Sequence, residues 1–326
     1  VWIVKTDATG TMVWARHYGK PDIYIKGKEI VQLSDGGFMF IANEADSTAQ
    51  SNAIICRIDA AGLISWTRVF DHGNEDGFNS IAIAGNDVYV AGFATVDRKD
   101  GILMRMAIVD GSPSYLKKYV RQINQDDELI DVEPTQDGIS FGSRSYFVTP
   151  SNSHISNLVF FKMKSDGSIY FRRRADVSFN QYRPEHLQIR QTHDSGFIVI
   201  TCDSTLPGFP LAVRMGPTGM NEWGKNLRNF ENARVFGLDV IDSSGYLIGG
   251  HTNSFQTGYK NKITVHRTDI NGSVSNCTAG FYGVFVDTTN FSITDFTWNN
   301  ISTTILPINN SINPASADPG FSTTGI

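Results

Sequence analysis

Acidic residues gather at Asp71, Glu75 and Asp76, and again at Asp126, Asp127 and Glu128, with Glu185 and Glu231 at corresponding later places. Oxygen-rich clusters of this kind can hold calcium. None has the D-x-[DN]-x-[DN]-G-x5-E spacing of a calcium loop, so solvated loop charge is the ordinary reading. Calcium is the one cofactor to test for, with Asp71, Glu75 and Asp76 as its candidate ligands. Five aromatic residues, Tyr146, Phe147, Phe209, Phe255 and Tyr259, lie in the stretches that vary most along the chain. Aromatic rings on loops can stack on a glycan or fill a protein interface; otherwise they seal the loops that carry them. There is no HExxH, no P-loop and no GxGxxG after a strand, and the seven histidines do not cluster. Glycosidase chemistry would need two carboxylates from separate segments to meet across a channel. The sequence leans towards a protein that binds rather than catalyses.

The elements that must position these residues repeat. The texts Asp7-Ala-Thr-Gly10, Asp59-Ala-Ala-Gly62, Asp110-Gly111, Asp166-Gly167, Pro217-Thr-Gly219 and Asp269-Ile-Asn-Gly272 mark one recurring turn, with glycines 52, 49, 56, 52 and 53 residues apart. Glycine suits a tight hairpin turn because positive φ is costly for a residue with a β-carbon. Five residues before the glycine stands a cation: Lys5, Arg57, Lys162, Arg214 and Arg267, with Arg105 displaced by one in the third copy. Four residues after it stands an aromatic: Trp14, Trp66, Tyr115, Phe171 and Trp223, with Asn276 in the sixth copy. Another cation follows two residues later: Arg16, Arg68, Lys117, Arg173 and Lys225. A side chain repeated in every copy serves the copy. The cations are therefore expected to pack their stems between blades with the charge on a loop carboxylate or carbonyl, and the aromatics to pack within the blades.

A second turn series precedes the first: Asp35-Gly-Gly37, Gly85-Asn-Asp87, Asp137-Gly138, Asp194-Ser-Gly196 and Ser243-Ser-Gly245. Short runs rich in Val, Ile, Phe and Tyr flank both series, and no long stretch has a helical period. Each copy thus holds four strands, A to D, with hairpins at A–B and C–D. Units of this kind repeated at about 50 residues are β-propeller blades rather than helical solenoid repeats.

The repeat text, DGGF followed by apolar-K/R-x-D-x-x-G-x-x-x-W-x-R/K, resembles the secreted β-propeller repeats of Bacteroidetes surface proteins exported by the type IX pathway. Trp2 to Trp14 and Ile54 to Trp66 carry it most closely, and it spans about residues 1–275. The resemblance implies an extracellular or cell-surface location and a role in adhesion or assembly, with a protein or glycan partner. No C-terminal sorting domain is evident.

The expected fold is all-β: a propeller of four-stranded antiparallel blades over residues 1–308, six in number, or seven or more if the chain is a fragment. Val1 already lies in a strand pattern without an initiator Met, as in a processed or trimmed product. Residues 284–308 are expected to supply the missing A and B strands of the first blade, and 309–326 to form a tail or linker.

The bulk composition excludes some partners. The 326 residues are 40% apolar and 19% charged, with 28 basic and 33 acidic residues intermixed. No concentrated basic surface is available for nucleic acid, and no run approaches the roughly 18 apolar residues of a membrane-inserted helix. Cys56, Cys202 and Cys277 form no CxxC pair, and the first two read as buried thiols. Five N-x-S/T sequons begin at Asn271, Asn276, Asn290, Asn300 and Asn309, and read as polar loops in a bacterial protein.

Overall fold

A computed structural model describes residues 1–19, 23–45, 51–72, 74–95, 97–120, 126–148, 154–176, 186–202, 210–226, 233–252 and 262–273, together with four short strands between 280 and 302. The described chain is all-β; its one helical element is a 3-10 turn at Asp242–Ser244. It forms six antiparallel sheets. The first pairs β1 (Trp2–Thr6) with β2 (Met12–His17). The second holds β3 (Tyr24–Gln32), β4 (Phe38–Ala45), β5 (Ser51–Ile58) and β6 (Ile64–Asp71). The third holds β7 (Gly77–Ala84), β8 (Asp87–Thr95), β9 (Lys99–Ala107) and β10 (Pro113–Val120). The fourth holds β11 (Asp126–Thr135), β12 (Gly138–Val148), β13 (His154–Lys164) and β14 (Ile169–Asp176). The fifth holds β15 (His186–Gln191), β16 (Phe197–Cys202), β17 (Pro210–Met215) and β18 (Asn221–Asn226). The sixth holds β19 (Ala233–Ile241), β20 (Gly245–Thr252) and β21 (Lys262–Thr268). Neighbours in sequence are neighbours in each sheet, so these are propeller-type blades of the A–B–C–D form.

The C–D turns form for local reasons. At Asp59-Ala-Ala-Gly62 the aspartate Oδ1 accepts the Ala61 N–H at 2.9 Å and the Leu63 N–H at 2.8 Å, while Gly62 takes φ +79°. Asp7 and Asp269 bind their turns the same way. Directly behind the turn, the register slips after Lys5, Arg57, Lys162 and Arg214, a bulge at the same place in four sheets. The slip leaves each cation opposite the D-strand aromatic: Lys5 faces Trp14, Arg57 faces Trp66, Lys162 faces Phe171 and Arg214 faces Trp223.

The core lies between successive sheets. Trp14 and Tyr18 of the first pack with Phe40, Cys56 and Ile58 of the second. Phe160 and Phe171 of the fourth pack with Leu211, Val213 and Met215 of the fifth. The chain divides into two compact units, one of Val1–Phe78, Ile108–Gly111 and Trp298–Ile326, the other of Asn79–Ala107 and Ser112–Thr297.

Residues 280–302 depart from expectation. β22 (Gly280–Phe281) pairs with β18, β23 (Phe285–Asp287) with β14, β24 (Ser292–Asp295) with β10, and β25 (Asn300–Ser302) with β6. The described part of 284–308 therefore adds a fifth strand to the D edges of the fourth, third and second sheets, and does not supply A and B strands to the first. A D strand offers an unsatisfied row of backbone N–H and C=O groups, and a short extended segment satisfies it without needing an apolar pattern of its own. The expected tail at 309–326 lies outside the described residues.

Candidate functional site

The repeated side chains are used within and between the sheets. Arg57 pairs with Asp35 at 2.6 Å, Lys162 with Asp137 at 2.7 Å and Arg214 with Asp194 at 2.5 Å. The A–B turn acid and the C-strand cation are thus one ion pair. The Lys162 ammonium holds the Asp137 carboxyl below the usual range. For Asp35 the Gly37 N–H contributes most and Arg57 next, in the same direction. The D-strand aromatics reach the C–D turn of the following sheet: Trp14 Nε1 donates to Ala60 O at 3.0 Å and Trp66 Nε1 to Ile108 O at 3.2 Å. The D-strand cations follow, with Arg68 donating to Asp110 O at 2.6 Å and Arg173 to Thr218 O at 2.9 Å, each lying over its own aromatic ring. These groups are structural, as their recurrence implied.

Of the clustered acids Asp76, Asp127 and Glu128 are buried rather than solvated loop charge, whereas Glu75 is exposed as expected. Asp76 is buried; its carboxylate accepts the His72 N–H, and its backbone joins Ser51. Asp71 ends β6, where it pairs with Asn300, and Glu75 is exposed. Asp127 is buried and accepts Ser145 Oγ, while Glu128 accepts Arg144 and lies 3.4 Å from Lys99 Nζ. Burial, the largest influence, would raise the Glu128 carboxyl, but Arg144 and Lys99 together hold it below its ordinary value. Among the described residues no group of three or more His, Cys, Asp or Glu side chains is placed to hold a metal ion. Glu185 and Glu231 lie outside the described residues.

Tyr146 and Phe147 are not loop residues in their backbone. They extend β12, with Tyr146 paired to Asp126 and Ser156 and Phe147 paired to Ile155. The ladder continues there because β12 and β13 are long, 11 residues each, and carry the pairing past the expected loop start. Phe209, Phe255 and Tyr259 lie outside the described residues. Gly138-Ile-Ser-Phe-Gly142 has the G-x-S-x-G spacing of a nucleophile elbow. Ser140 sits in the middle of β12, fully buried, opposite Glu133 and Lys162. A nucleophile elbow needs a strand-to-helix turn, so this serine is a strand residue.

Among the described residues a polar site also lies where no motif points. In the second unit the A strands β11, β15 and β19 border a cavity of about 310 Å³ lined by Glu133, Gln136, Arg190, Gln191, Thr192, His193, Asp239 and Val240. Arg190 organises it, lying 3.4 Å from Asp131 and 3.2 Å from Glu133 and donating to Ile189 O at 2.8 Å. Asp131 is enclosed behind it and accepts the Ile189 N–H at 2.6 Å and Ser80 Oγ at 3.1 Å. Burial pushes the Asp131 carboxyl above its ordinary value, opposed by Arg190 and by the hydrogen bonds. Gln191 Oε1 accepts the Gln136 N–H at 3.0 Å, and its Nε2 is buried with no hydrogen-bond partner. The cavity gathers donors and acceptors but no aromatic wall.

No family model matches the chain, and no curated protein matches it. Among solved structures it is similar to the quinohemoprotein alcohol dehydrogenase of Comamonas testosteroni, at 11% identity and a TM-score of 0.43, covering 80% of this chain and 45% of that one. It is also similar to a Hadza microbial sialidase, at 10% identity and a TM-score of 0.35, covering 77% of this chain and 66% of that one. The chain spans under half the length of the first and about two thirds of the second. The architecture rests on the strand order itself: an all-β chain of four-stranded antiparallel propeller blades.

Proposed function

We propose that this chain is an extracellular, non-catalytic β-propeller scaffold or binding module that acts in adhesion or assembly at a cell surface, with a protein or glycan as partner. One observation supports it above others. The side chains that the repeat holds constant are used in joining sheet to sheet, and the buried carboxylates Asp131 and Glu128 are tied to arginine and lysine. An acid–base pair needs one carboxyl free to give up a proton and another free to take one. Recognition then falls to the variable B–C connections, and the repeat's resemblance to secreted surface propellers supports the location. Beads coated with the full chain should adhere to surfaces bearing defined glycans or matrix proteins, and a panel of chromogenic glycosides should show no turnover. Saturable glycoside hydrolysis would overturn the reading.

A second reading, a glycan-binding lectin, draws on the Arg190 cavity. About 310 Å³ matches the lower end of small-ligand pockets, and Gln191 Nε2 supplies an unused donor. Calorimetric titration with monosaccharides and disaccharides tests it. Saturable heat that disappears in His193→Ala or Gln191→Ala would favour the lectin over the scaffold.

A further inference from the structure

The charged groups of the Arg190 cavity each keep one side open. The cavity lies wholly within the second unit, where β11 brings Glu133, β15 brings Arg190 and β19 brings Asp239 to one lining. Arg190 is held by a single nitrogen. Its contacts with Asp131, Glu133 and the Ile189 carbonyl, at 3.4, 3.2 and 2.8 Å, all run through Nη1. The Nε–Nη2 edge makes no polar contact among the described residues, and the side chain is 20% exposed. Asp239 is held in a similar way. It is exposed, its Oδ1 accepts the Val240 N–H at 2.9 Å, and its Oδ2 has no partner among the described residues. A fork of donors and an acceptor oxygen therefore remain for a ligand.

The rest of the lining narrows what that ligand is. Val240 is the one apolar side chain among the described lining residues, and no Phe, Tyr or Trp belongs to it. Ligand pockets are mostly apolar and aromatic, and a cavity without such surface must hold its occupant through hydrogen bonds and charge. Two carboxylates, Glu133 and Asp239, line the cavity beside one guanidinium, and a third, Asp131, stands behind it. A sugar carboxylate could reach the open Arg190 edge but would meet Glu133 and Asp239 as like charges. An N-acetyl group would bring a methyl with only Val240 to receive it. An ammonium is attracted by the same two acids, and its hydrogen bonds to a carboxylate are about twice as strong as neutral ones.

Taking the lectin reading of this cavity as its basis, we propose that the cavity selects amino sugars with a free, protonated amine, as in a deacetylated hexosamine unit. The ammonium donates to Asp239 Oδ2 and faces Glu133, while ring hydroxyls accept from Nε and Nη2 of Arg190. A volume of about 310 Å³ suits one sugar ring rather than an oligosaccharide.

The full chain is titrated calorimetrically at about pH 6.5, below the range of an α-amino group, with the methyl glycosides of glucosamine, N-acetylglucosamine, glucose and glucuronic acid. The glucosaminide should bind at least tenfold more tightly than the other three. Asp239→Asn should remove that preference, whereas Asp97→Asn, at an exposed acid in the B–C connection of the third sheet, should keep it. If the neutral, N-acetylated or acidic glycoside binds as tightly as the glucosaminide, or if Asp239→Asn leaves the preference intact, the proposal is overturned and the lectin reading stands. If none of the four glycosides binds, the lectin reading fails and the amino-sugar preference falls with it.

Discussion

Replacing Arg214 by methionine removes a side chain that is 4% exposed and bound on several sides. Its guanidinium donates to Asp194 at 2.7 and 2.5 Å, to Phe197 O at 3.4 Å and to Met215 O. A hydrogen bond to a charged group contributes about 1.5–3 kcal/mol, and breaking a fully buried ion pair costs about 3–5 kcal/mol. The Asp194 side chain is 64% exposed, so the carboxylate left behind regains water and the larger figure does not apply. A loss of about 2–3 kcal/mol is expected. Lys5 holds the same place in the first sheet but only reaches Ala60 O at 3.4 Å, in an exposed setting. Lys5→Met should cost less than about 0.5 kcal/mol. Urea denaturation followed by tryptophan fluorescence measures both, and Arg214→Lys should restore less than half of the loss because a lysine's single nitrogen cannot hold the carboxylate while a second nitrogen holds the Phe197 and Met215 carbonyls, as Nη2 and Nη1 of the guanidinium do. If Arg214→Met and Lys5→Met fall within about 0.5 kcal/mol of each other, the repeated cation is not a structural clamp and the reasoning fails.

Three further outcomes are expected. Gly10→Ala should cost about 1 kcal/mol, the penalty for a left-handed residue, while Gly62→Ala should cost about 2–4 kcal/mol because Trp14, Tyr18 and Arg16 must also move; thermal unfolding ranks the two. Burial pushes the Cys56 thiol up to about 12, so iodoacetamide at about pH 8 should leave Cys56 unlabelled in the native chain and label it only as the protein unfolds, as followed by peptide mass spectrometry. Glu128 has a folded pKa below its unfolded value, so its stabilisation is complete above that unfolded value and is lost as pH falls through the folded one. The stability gap between the natural chain and Glu128→Gln should therefore shrink as the pH is lowered below about 4, and a constant gap would contradict the Arg144–Lys99 clamp.

What could be read from the sequence was what is decided locally. A turn that needs positive φ and a carboxylate acceptor two residues upstream leaves glycine and aspartate at fixed places, and the cation and aromatic keep their offsets because the bulge puts them opposite each other. What could not be read depends on partners far away in the chain. Asp127 and Glu128 look like loop acids until Ser145 meets the first and Arg144 and Lys99, from two other strands, enclose the second. The Arg190 cavity combines residues of three A strands whose sequences differ. Tyr146 and Phe147 sat in a stretch with too few turn residues to mark where β12 ends. The strands between 280 and 302 are two to four residues long, too short for any alternation to declare itself.

Those four edge strands have a consequence for how the chain acquires its structure. Each has a seat only after the D strand it joins has been laid down, and the last, Ile301 opposite Phe70, joins residues about 230 positions apart in the chain. The entropy of closing a loop grows only with the logarithm of its length, so distance alone does not forbid the pairing. It does set the order of events. During synthesis the blades can form one after another from the N-terminus through short-range hairpins, before residues 280–302 have been made. Their pairing therefore follows the laying down of the D strands they join, and those D edges stay open to other extended chains until it takes place.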